Sequence, residues 1–298
     1  MRTERNPATA QTSSALRLRS CLRAALGLLA VIALLLAPVA GHAASGEAPL
    51  GEIKRPKGGL VVLCGAGLRA PMEECRKEFE RRHKVPIRVI YGGSQCLLAQ
   101  LAVTYRNALI DIYAPGEEFY AKQAQDRGYV TTYKPMAYFI PVIMVREGNP
   151  KKIHTLKDLT KPGLRIGVGE PKACAVGKTT QDLLKKHGLT QQVGKNVVMH
   201  TAMAPELGNA VKLGSVDAVI NWDAVAAGYE DGAEIIPIPP DQNIIVKSSI
   251  GLVKNAREKR MARLFIEFVT GPEGRAIFQK NRYTIDLKAP TYPVKASR

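Results

Sequence analysis

The chain contains few of the residues on which metal modules depend. Its 298 residues include five cysteines, five histidines and one tryptophan. No C-x-x-C pair and none of the cysteine and histidine spacings typical of zinc is present, which argues against a structural zinc module. Acidic residues are also scarce beside basic ones, with 26 Asp and Glu against 43 Lys and Arg and a formal net charge of +17. Such a surface favours anionic ligands or acidic partners.

The basic residues do not form a pattern typical of nucleic-acid binding. They are scattered over predicted helix faces, for example at Arg76, Arg81 and Lys185, and aromatic residues make up only 6% of the chain. A nucleic-acid-binding surface would combine clustered basic residues with a recognisable motif or aromatic stacking positions. We therefore expect a solvated basic surface and no nucleic-acid partner.

The sequence signatures of catalysis are incomplete. Val176–Thr180 resembles the end of a nucleotide-binding P-loop, but Lys172 stands where that motif requires its first glycine. Ser94 lacks the G-x-S-x-G elbow of serine hydrolases, and no histidine is paired with a nucleophile. We predict that the protein is not an enzyme and needs no cofactor. A catalytic α/β protein that uses Ser94 remains an alternative.

Residues 1–43 have the composition of a secretory signal peptide. Five arginines precede an apolar stretch from Ala24 to Leu36, and Gly41–Ala43 supplies small residues for cleavage. The stretch is short for a membrane span, although an uncleaved anchor remains an alternative, and Cys21 precedes it where a lipoprotein cysteine would follow. We predict a periplasmic or otherwise extracytoplasmic protein without stable membrane insertion after processing. The remaining 255 residues carry a formal net charge of +13.

Short apolar runs alternate with helical patterns through the rest of the chain. In the first helical pattern, Met72, Cys75 and Phe79 form an apolar stripe that is expected to face a sheet. This alternation predicts an α/β fold with mainly parallel sheets flanked by helices. The predicted strands are Val61–Cys64, Ile87–Tyr91, Ile110–Tyr113, Tyr138–Val145, Leu164–Val168, Val197–Met199, Ala218–Asn221 and Ile235–Pro237. The predicted helices are Arg69–Arg82, Cys96–Arg106, Glu117–Arg127, Thr180–His187 and Ala204–Leu213, with two short ones after Met261.

Two predicted strands end in small residues that lead directly into a helix. The first ends at Gly65–Gly67 and the second at Gly92–Ser94. Because the first amides of a helix have no partner within it, they would point at whatever occupies the turn. On neighbouring parallel strands the two turns would lie side by side. The pair predicts an anion-binding site.

Two extended stretches are long enough to carry the chain between lobes. Tyr138–Val145 has no helix immediately before it, and Ile235–Val253 would return the chain. Two crossings make a hinge with a cleft, where ligands bind. We predict a linker at 44–58, a first lobe at 59–138 that is completed by 238–298, and a second lobe at 139–237.

Seven motifs occur in a fixed order along nearly the whole mature chain. They are Val62–Leu68, Tyr91–Leu101, Asp111–Ala114, Leu156–Leu159, Arg165–Pro171, Gly214–Val219 and Phe268–Phe278. Their order and spacing resemble a periplasmic solute-binding protein of the type II fold, most similar to the molybdate- and tungstate-binding components of ABC transporters. The resemblance implies a monomeric, two-lobed protein that captures a small oxyanion and delivers it to an ABC transporter permease.

The resemblance also implies a set of ligand contacts. In the molybdate binders a tetrahedral dianion is held by hydroxyls and backbone amides from both lobes, without counter-charges. The corresponding positions here are Gly67 and Ser94 in the first lobe and Val176, Ala204 and Trp222 in the second. A gap in the helix would move the Ala204 contact to Leu207.

Two of these positions depart from the family pattern. Gly67 stands where serine is usual and Trp222 where tyrosine is usual. Glycine keeps the amide donor and loses the hydroxyl, while the indole nitrogen donates and cannot accept. The identity of the ligand is therefore left open by the resemblance.

Three cysteines lie in or beside the turns that are expected to line the cleft. Thiolates from Cys64, Cys96 and Cys174 could bind a soft ion such as Cu(I) or arsenite, with Met72 and Met203 as thioether neighbours. A disulfide between Cys64 and Cys96 is a second possibility in an oxidising compartment. Free buried cysteines that act as small apolar residues are a third.

Overall fold

The computed structural model describes residues 53–289. The predicted signal peptide at 1–43 and residues 44–52 of the predicted linker lie outside the described residues. Between Ile53 and Ala289, no helix combines the length and the apolar character that a membrane span requires.

The described residues form ten strands and nine α-helices. In chain order the strands are β1 (Leu60–Gly65), β2 (Ile87–Gly92), β3 (Ile112–Ala114), β4 (Val130–Phe139), β5 (Pro141–Arg146), β6 (Ile166–Gly169), β7 (Val197–Thr201), β8 (Ala218–Trp222), β9 (Ala233–Pro237) and β10 (Val246–Val253). The helices are α1 (Arg69–His83), α2 (Ser94–Thr104), α3 (Glu118–Asp126), α4 (Ala175–Lys186), α5 (Thr190–Gly194), α6 (Ala204–Lys212), α7 (Asp223–Ala226), α8 (Lys259–Thr270) and α9 (Pro272–Lys280).

The strands form two five-stranded sheets with the same topology. Their orders are β2-β1-β3-β10-β4 and β7-β6-β8-β5-β9. In each sheet four strands run in one direction and one runs against them, β10 in the first and β5 in the second. Each of these antiparallel strands is the first that the chain forms after it crosses into that sheet. The predicted two-lobed α/β fold with mainly parallel sheets is confirmed.

The chain changes sheets at a single residue. Phe139 ends β4, Pro141 begins β5, and Ile140 alone lies between them. The N–H of Asp223 donates to Ile140 O at 2.8 Å, and the N–H of Ile140 donates to Asp223 Oδ1 at 3.1 Å. The return crossing spans residues 238–245, where Asn243 Nδ2 donates to Pro141 O at 2.8 Å. Asn243 of the return crossing is thus hydrogen-bonded to Pro141, the residue that follows Ile140 of the first crossing.

Several predicted bounds are wrong. The single strand predicted at Tyr138–Val145 is two strands in different sheets, because Phe139 pairs with Val246 and Pro141 pairs with Trp222. Helix α4 begins at Ala175 and not at Thr180.

The predicted stripe on the first helix is confirmed. Met72, Cys75 and Phe79 of α1 are fully buried in the same core as β1, whose residues are all buried. Burial of such side chains stabilises a protein by about 1.5 to 3 kcal/mol each. The core therefore fixes the end of β1, where the first of the predicted anion-binding turns begins.

Candidate functional site

A cavity lies between the lobes at the carboxyl ends of the parallel strands. All five residues predicted to contact a ligand line it: Gly67, Ser94, Val176, Ala204 and Trp222. Leu207, the alternative to Ala204, is fully buried in the core and does not line the cavity. The remaining lining residues are Gly65, Ala66, Gly92, Gly93, Gly116, Phe139, Cys174, Ala175 and Met203.

The lobes are closed over this cavity. The N–H of Gln95 in the first lobe donates to Ala173 O in the second at 3.1 Å. A Cβ atom on Gly93 would lie 2.5 Å from Ala173 O and 2.6 Å from Ala202 O, closer than a carbon and an oxygen can approach. Glycine at this position is therefore what allows the two lobes to meet.

Five helical segments begin at the cavity, each as the next element after a strand. They are the 3₁₀ helix Ala66–Leu68 and the helices α2, α4, α6 and α7, which follow β1, β2, β6, β7 and β8. The residues before the 3₁₀ helix, α2, α4 and α7 make no side-chain cap hydrogen bond. Uncapped first-turn amides are donors without a partner inside the helix, and the helix dipole adds partial positive charge there. Helix starts that converge in this way have the geometry and the partial positive charge to bind an anion.

Close packing brings the second-lobe helix α4 up to the cavity. A Cβ atom on Gly177 would lie 2.4 Å from Gly169 O, so the first turn of α4 sits directly on the end of β6. Val176, one residue earlier, is buried and lines the cavity. The position of its amide is thus fixed by a backbone contact within the second lobe.

The oxygen of the Ser94 hydroxyl already accepts one hydrogen bond from the protein. Ser94 is 3% exposed, and its Oγ accepts the N–H of Gly116 at 3.1 Å. Because the oxygen accepts from the protein, the hydroxyl proton is left for an acceptor in the cavity. Among residues 53–289, no histidine or carboxylate side chain lines the cavity beside this hydroxyl.

The two positions that depart from the family pattern face each other. A Cβ atom on Gly67 would lie 3.5 Å from Cδ1 of Trp222 and 3.6 Å from Cζ of Phe139. The rings of Trp222 and Phe139 stack with centroids 4.9 Å apart, and the hydroxyl of Tyr283 donates to Gly67 O. The missing side chain at Gly67 thus leaves room for the larger ring at Trp222. The indole N–H of Trp222, which is 2% exposed, has no hydrogen-bond acceptor within residues 53–289.

None of the described residues that line the cavity has a charged side chain. Two carboxyl groups lie behind it, Glu117 next to Gly116 and Asp223 next to Trp222, and both are buried. Burial raises the pKa of each to about 7. The wall therefore offers neutral donors, and a bound anion would have no counter-ion in contact with it.

The structure does not bring the three cysteines together as a soft-metal site. Cys174 lines the cavity, Cys64 is fully buried with its Sγ 3.6 Å from Gly65 O, and Cys96 is exposed. Burial raises the pKa of the Cys174 thiol to about 11 and that of Cys64 further, which disfavours the thiolates that a soft ion needs. Within residues 53–289 no three His, Cys, Asp or Glu side chains are grouped as metal ligands. The proposed neighbour Met72 lies in the core.

The cysteines are also unpaired in the described part of the chain. All four of them, Cys64, Cys75, Cys96 and Cys174, are free thiols, so the disulfide considered between Cys64 and Cys96 is not formed. The two strands that carry Cys64 and Cys96 into the turns are neighbours, but the Cys64 side chain enters the core while Cys96 lies inside α2.

Three lining residues show what the sequence analysis could and could not identify. Gly116 follows β3 as Gly65 and Gly92 end β1 and β2, so the pattern of a strand followed by glycine could have identified it. Gly93 belongs to a predicted turn, but its contact with the second lobe depends on closure. Phe139 is placed at the cavity by the change of sheets at Ile140, for which the sequence shows no distinct signal.

Most of the chain matches a known family model. The model of the bacterial extracellular solute-binding protein family matches residues 60–284. The chain belongs to this family. This solute-binding protein is 27% identical over 222 residues to a putative binding protein of Haemophilus influenzae, with 74% of this chain and 88% of that protein covered.

Other relatives are oxyanion-binding proteins by name. The solute-binding protein is 25% identical over 229 residues to the molybdate-binding protein ModA of Mycobacterium tuberculosis, which covers 75% of this chain and 84% of ModA. It is 28% identical over 163 residues to the sulfate-binding protein of Escherichia coli, with 48% and 50% covered. These relatives are named as binding proteins, and family membership implies an extracytoplasmic, periplasmic location.

Solved structures share the fold at low sequence identity. The periplasmic molybdate-binding protein of Azotobacter vinelandii superposes with a TM-score of 0.67 at 16% identity, covering 76% of this chain and 99% of that one. The periplasmic binding protein AfuA of Actinobacillus pleuropneumoniae, solved with fructose-6-phosphate, gives a TM-score of 0.67 at 19% identity, with 77% and 85% covered. The solute-binding protein therefore has the two-lobed, type II periplasmic-binding-protein fold.

Proposed function

We propose that this solute-binding protein, acting as a monomer, captures a small tetrahedral oxyanion of the molybdate, tungstate or sulfate type and delivers it to an ABC transporter permease. The observation that carries the proposal is the size of the closed cavity. The space open to the centre of an oxygen-sized atom is about 20 Å³, equal to a sphere of about 1.7 Å radius. Such a radius is close to the distance from the central atom to the oxygens in a tetrahedral oxyanion.

The size also argues against an organic ligand. Fructose-6-phosphate, which was bound to a structural neighbour, has a sugar in addition to its phosphoryl group. A cavity of about 20 Å³ has no room for the sugar unless the lobes stay apart. A small inorganic anion is the ligand that fits the closed form.

The chemistry of the wall supports a fully deprotonated anion. The remaining uncapped amides at the starts of α2 and α4, the Ser94 hydroxyl and the Trp222 indole are available as donors. The Ser94 oxygen already accepts from Gly116 N, which leaves it a single lone pair for a ligand donor. A protonated oxyanion such as hydrogen phosphate would bring a donor for which the described wall residues offer no carboxylate or imidazole, at a cost of about 1 to 3 kcal/mol where that donor stays unpaired.

The proposal is tested by thermal shift of the mature protein with molybdate, tungstate, sulfate and phosphate. A ligand at about 100 times its Kd stabilises the folded state by about 2.7 kcal/mol and raises Tm. We expect a rise with at least one dianion and a smaller rise with phosphate. An unchanged Tm with all four anions would contradict the proposal.

Elemental analysis of protein purified without added ligand identifies the physiological anion. Molybdenum and tungsten give distinct elemental signals, whereas bound sulfate is measured as the released ion because Met and Cys already contribute sulfur. Copper or arsenic in stoichiometric amount would instead support the soft-ion alternative. It would also contradict the observed separation of Cys64, Cys96 and Cys174.

A further inference from the structure

One pair of buried side chains joins the lobes beside the cavity. The Thr179 hydroxyl, on α4 of the second lobe, donates to Oε1 of Glu117 in the first lobe. Glu117 is 4% exposed and Thr179 is 3% exposed. Because the two residues belong to different lobes, this bond and the burial of Glu117 depend on closure.

Glu117 is connected to the ligand contacts of both lobes. It follows Gly116, whose N–H holds the Ser94 oxygen at 3.1 Å. Its partner Thr179 is on α4, the helix whose first turn contributes Val176 to the cavity wall. The Glu117 and Thr179 pair therefore links the half-sites without itself lining the cavity.

The charged and titratable groups around Glu117 do not neutralise it. Lys178 Nζ pairs with Asp182 Oδ2 at 2.5 Å and lies 5.2 Å from the centre of the Phe119 ring. Tyr120 of α3 and Cys174 before α4 are the other titratable groups close enough to interact with it. In the described part of the chain, Glu117 has no ion pair of its own. A carboxylate here would be buried without a cation next to a site for a dianion.

We propose that Glu117 is a proton-linked latch: closure of the lobes around the anion takes up one proton at this carboxyl group. The open protein with a Glu117 carboxylate, an anion and a proton become the closed complex with a neutral Glu117 acid. The acid keeps its hydrogen bond from Thr179 and adds no negative charge beside the ligand. This inference rests on the proposed capture of an anion.

The direction of the pH effect follows from burial. In an open cleft a glutamate titrates near its ordinary pKa of about 4.3. Burial raises the pKa of Glu117 to about 7 in the closed form, opposed by the Thr179 hydrogen bond and by Lys178 and assisted by Asp182. The closed form therefore binds more protons than the open form. Its advantage is complete at low pH and is lost as pH rises through about 7, which weakens binding about tenfold between pH 6 and pH 8.

The other buried carboxyl with a raised pKa does not join the lobes. Asp223 belongs to the second lobe, and its Oδ1 accepts the N–H of the hinge residue Ile140. Its effect on the pH profile is separated from that of Glu117 by substituting Glu117 alone.

Isothermal titration calorimetry with molybdate and with sulfate tests the latch. Titrations of the mature protein in two buffers of different ionisation enthalpy give the number of protons taken up per anion. We expect about one proton near pH 6, about half a proton near pH 7, and an affinity that falls about tenfold by pH 8. The variant E117Q should bind the same anion with no proton uptake and a flat pH profile.

Matched variants distinguish the latch from a general charge effect. E118Q removes the same formal charge from the neighbouring residue, which pairs with Lys247 in the first lobe, and should keep the uptake. T179V removes the hydrogen bond that lowers the Glu117 pKa and should extend the uptake to higher pH. T179V also provides the test of the latch if E117Q fails to fold.

The possible outcomes separate the two proposals. Unchanged proton uptake in E117Q, or an unchanged pH profile in T179V, would overturn the latch and leave anion capture intact. Absence of binding heat with any oxyanion would overturn both.

Discussion

The two lobes share one sheet topology and differ in how they fix the middle strand. Asp111 precedes β3 in the first sheet, and Asp217 precedes β8 at the equivalent place in the second. Asp111 is fully buried and accepts the N–H groups of Val61, Arg257 and Glu258 at 2.9 to 3.2 Å. It also pairs with the Arg55 guanidinium at 2.7 Å.

The second lobe uses a simpler arrangement. Asp217 accepts the N–H of Arg165 at 2.9 Å and its guanidinium at 2.8 Å, and that arginine side chain is 44% exposed. The first lobe is built from two separate stretches of chain, and its buried carboxylate joins both. The second lobe is one continuous stretch, for which a half-exposed pair within the lobe is sufficient.

The largest expected effect is on stability, when each of the two aspartates is replaced by alanine. D111A leaves the buried amide of Val61, two part-buried amides and a largely buried guanidinium without their acceptor, so we expect it to lower the free energy of unfolding by about 3 to 5 kcal/mol. D217A removes a pair that is partly exposed to solvent and should cost about 1 kcal/mol. Urea unfolding followed by circular dichroism measures both. Equal losses would show that the two carboxylates have the same role.

The next effect concerns the contact between lobes. G93A places a Cβ atom against Ala173 O and Ala202 O and should prevent full closure, with a loss of anion affinity of more than about 100-fold. The first lobe itself should remain stable, because both clashing atoms belong to the second lobe. Calorimetry and thermal unfolding of the free protein separate the two effects. Wild-type affinity in G93A would contradict the closed arrangement.

A smaller effect compares the side-chain donor of each lobe. S94A removes the first-lobe hydroxyl and W222F removes the second-lobe indole N–H while keeping an aromatic ring. Each leaves one ligand oxygen short of a donor, so we expect affinity to fall about tenfold in either variant. Anion titration calorimetry gives both values. A loss confined to S94A would assign Trp222 a packing role only.

The smallest effect tests the glycine at the other first-lobe turn. The Cβ of G67S would make ordinary contacts of 3.4 to 3.6 Å with Val225, Trp222 and Phe139. The variant should fold normally, and its new hydroxyl should change affinity by less than about tenfold. Comparison with G93A under the same conditions is the control, since both substitutions add a side chain to a first-lobe turn. A collapse of binding in G67S would mean that the Trp222 ring cannot give way.

The elements that sequence predicted best are those in which a buried strand passes directly into an amphipathic helix. Gly65–Gly67 after β1 and Gly92–Ser94 after β2 were identified because local periodicity and glycine position define them. Strand β4 was missed before Tyr138, since it is an edge strand whose exposed Thr132, Lys134 and Pro135 give no apolar alternation. Helix α4 was predicted to start late because Gly177 has a low helix propensity, although close packing on β6 requires it.

The side chains that line the cleft could not be predicted from the sequence for a different reason. Cys64, Cys96 and Cys174 all lie in or beside turns at strand ends, so the sequence suggested that their thiols could come together. Whether a side chain enters the core, the cavity or the solvent depends on rotation about the strand and helix axes. That rotation is set by packing against residues that are distant in the chain, and local sequence does not show these contacts. For the same reason, the sequence could not predict that Gly67 and Trp222 face each other.

The position of Trp222 gives the protein a built-in optical reporter. It is the only tryptophan in the chain, it lines the cavity, and it stacks on Phe139 at the end of the strand that leads into the hinge. Its emission therefore comes from one place, where entry of a ligand and movement of the lobes both alter the surroundings of the indole. Stopped-flow fluorescence of the unlabelled protein can consequently time the encounter with the anion and the closure that follows it.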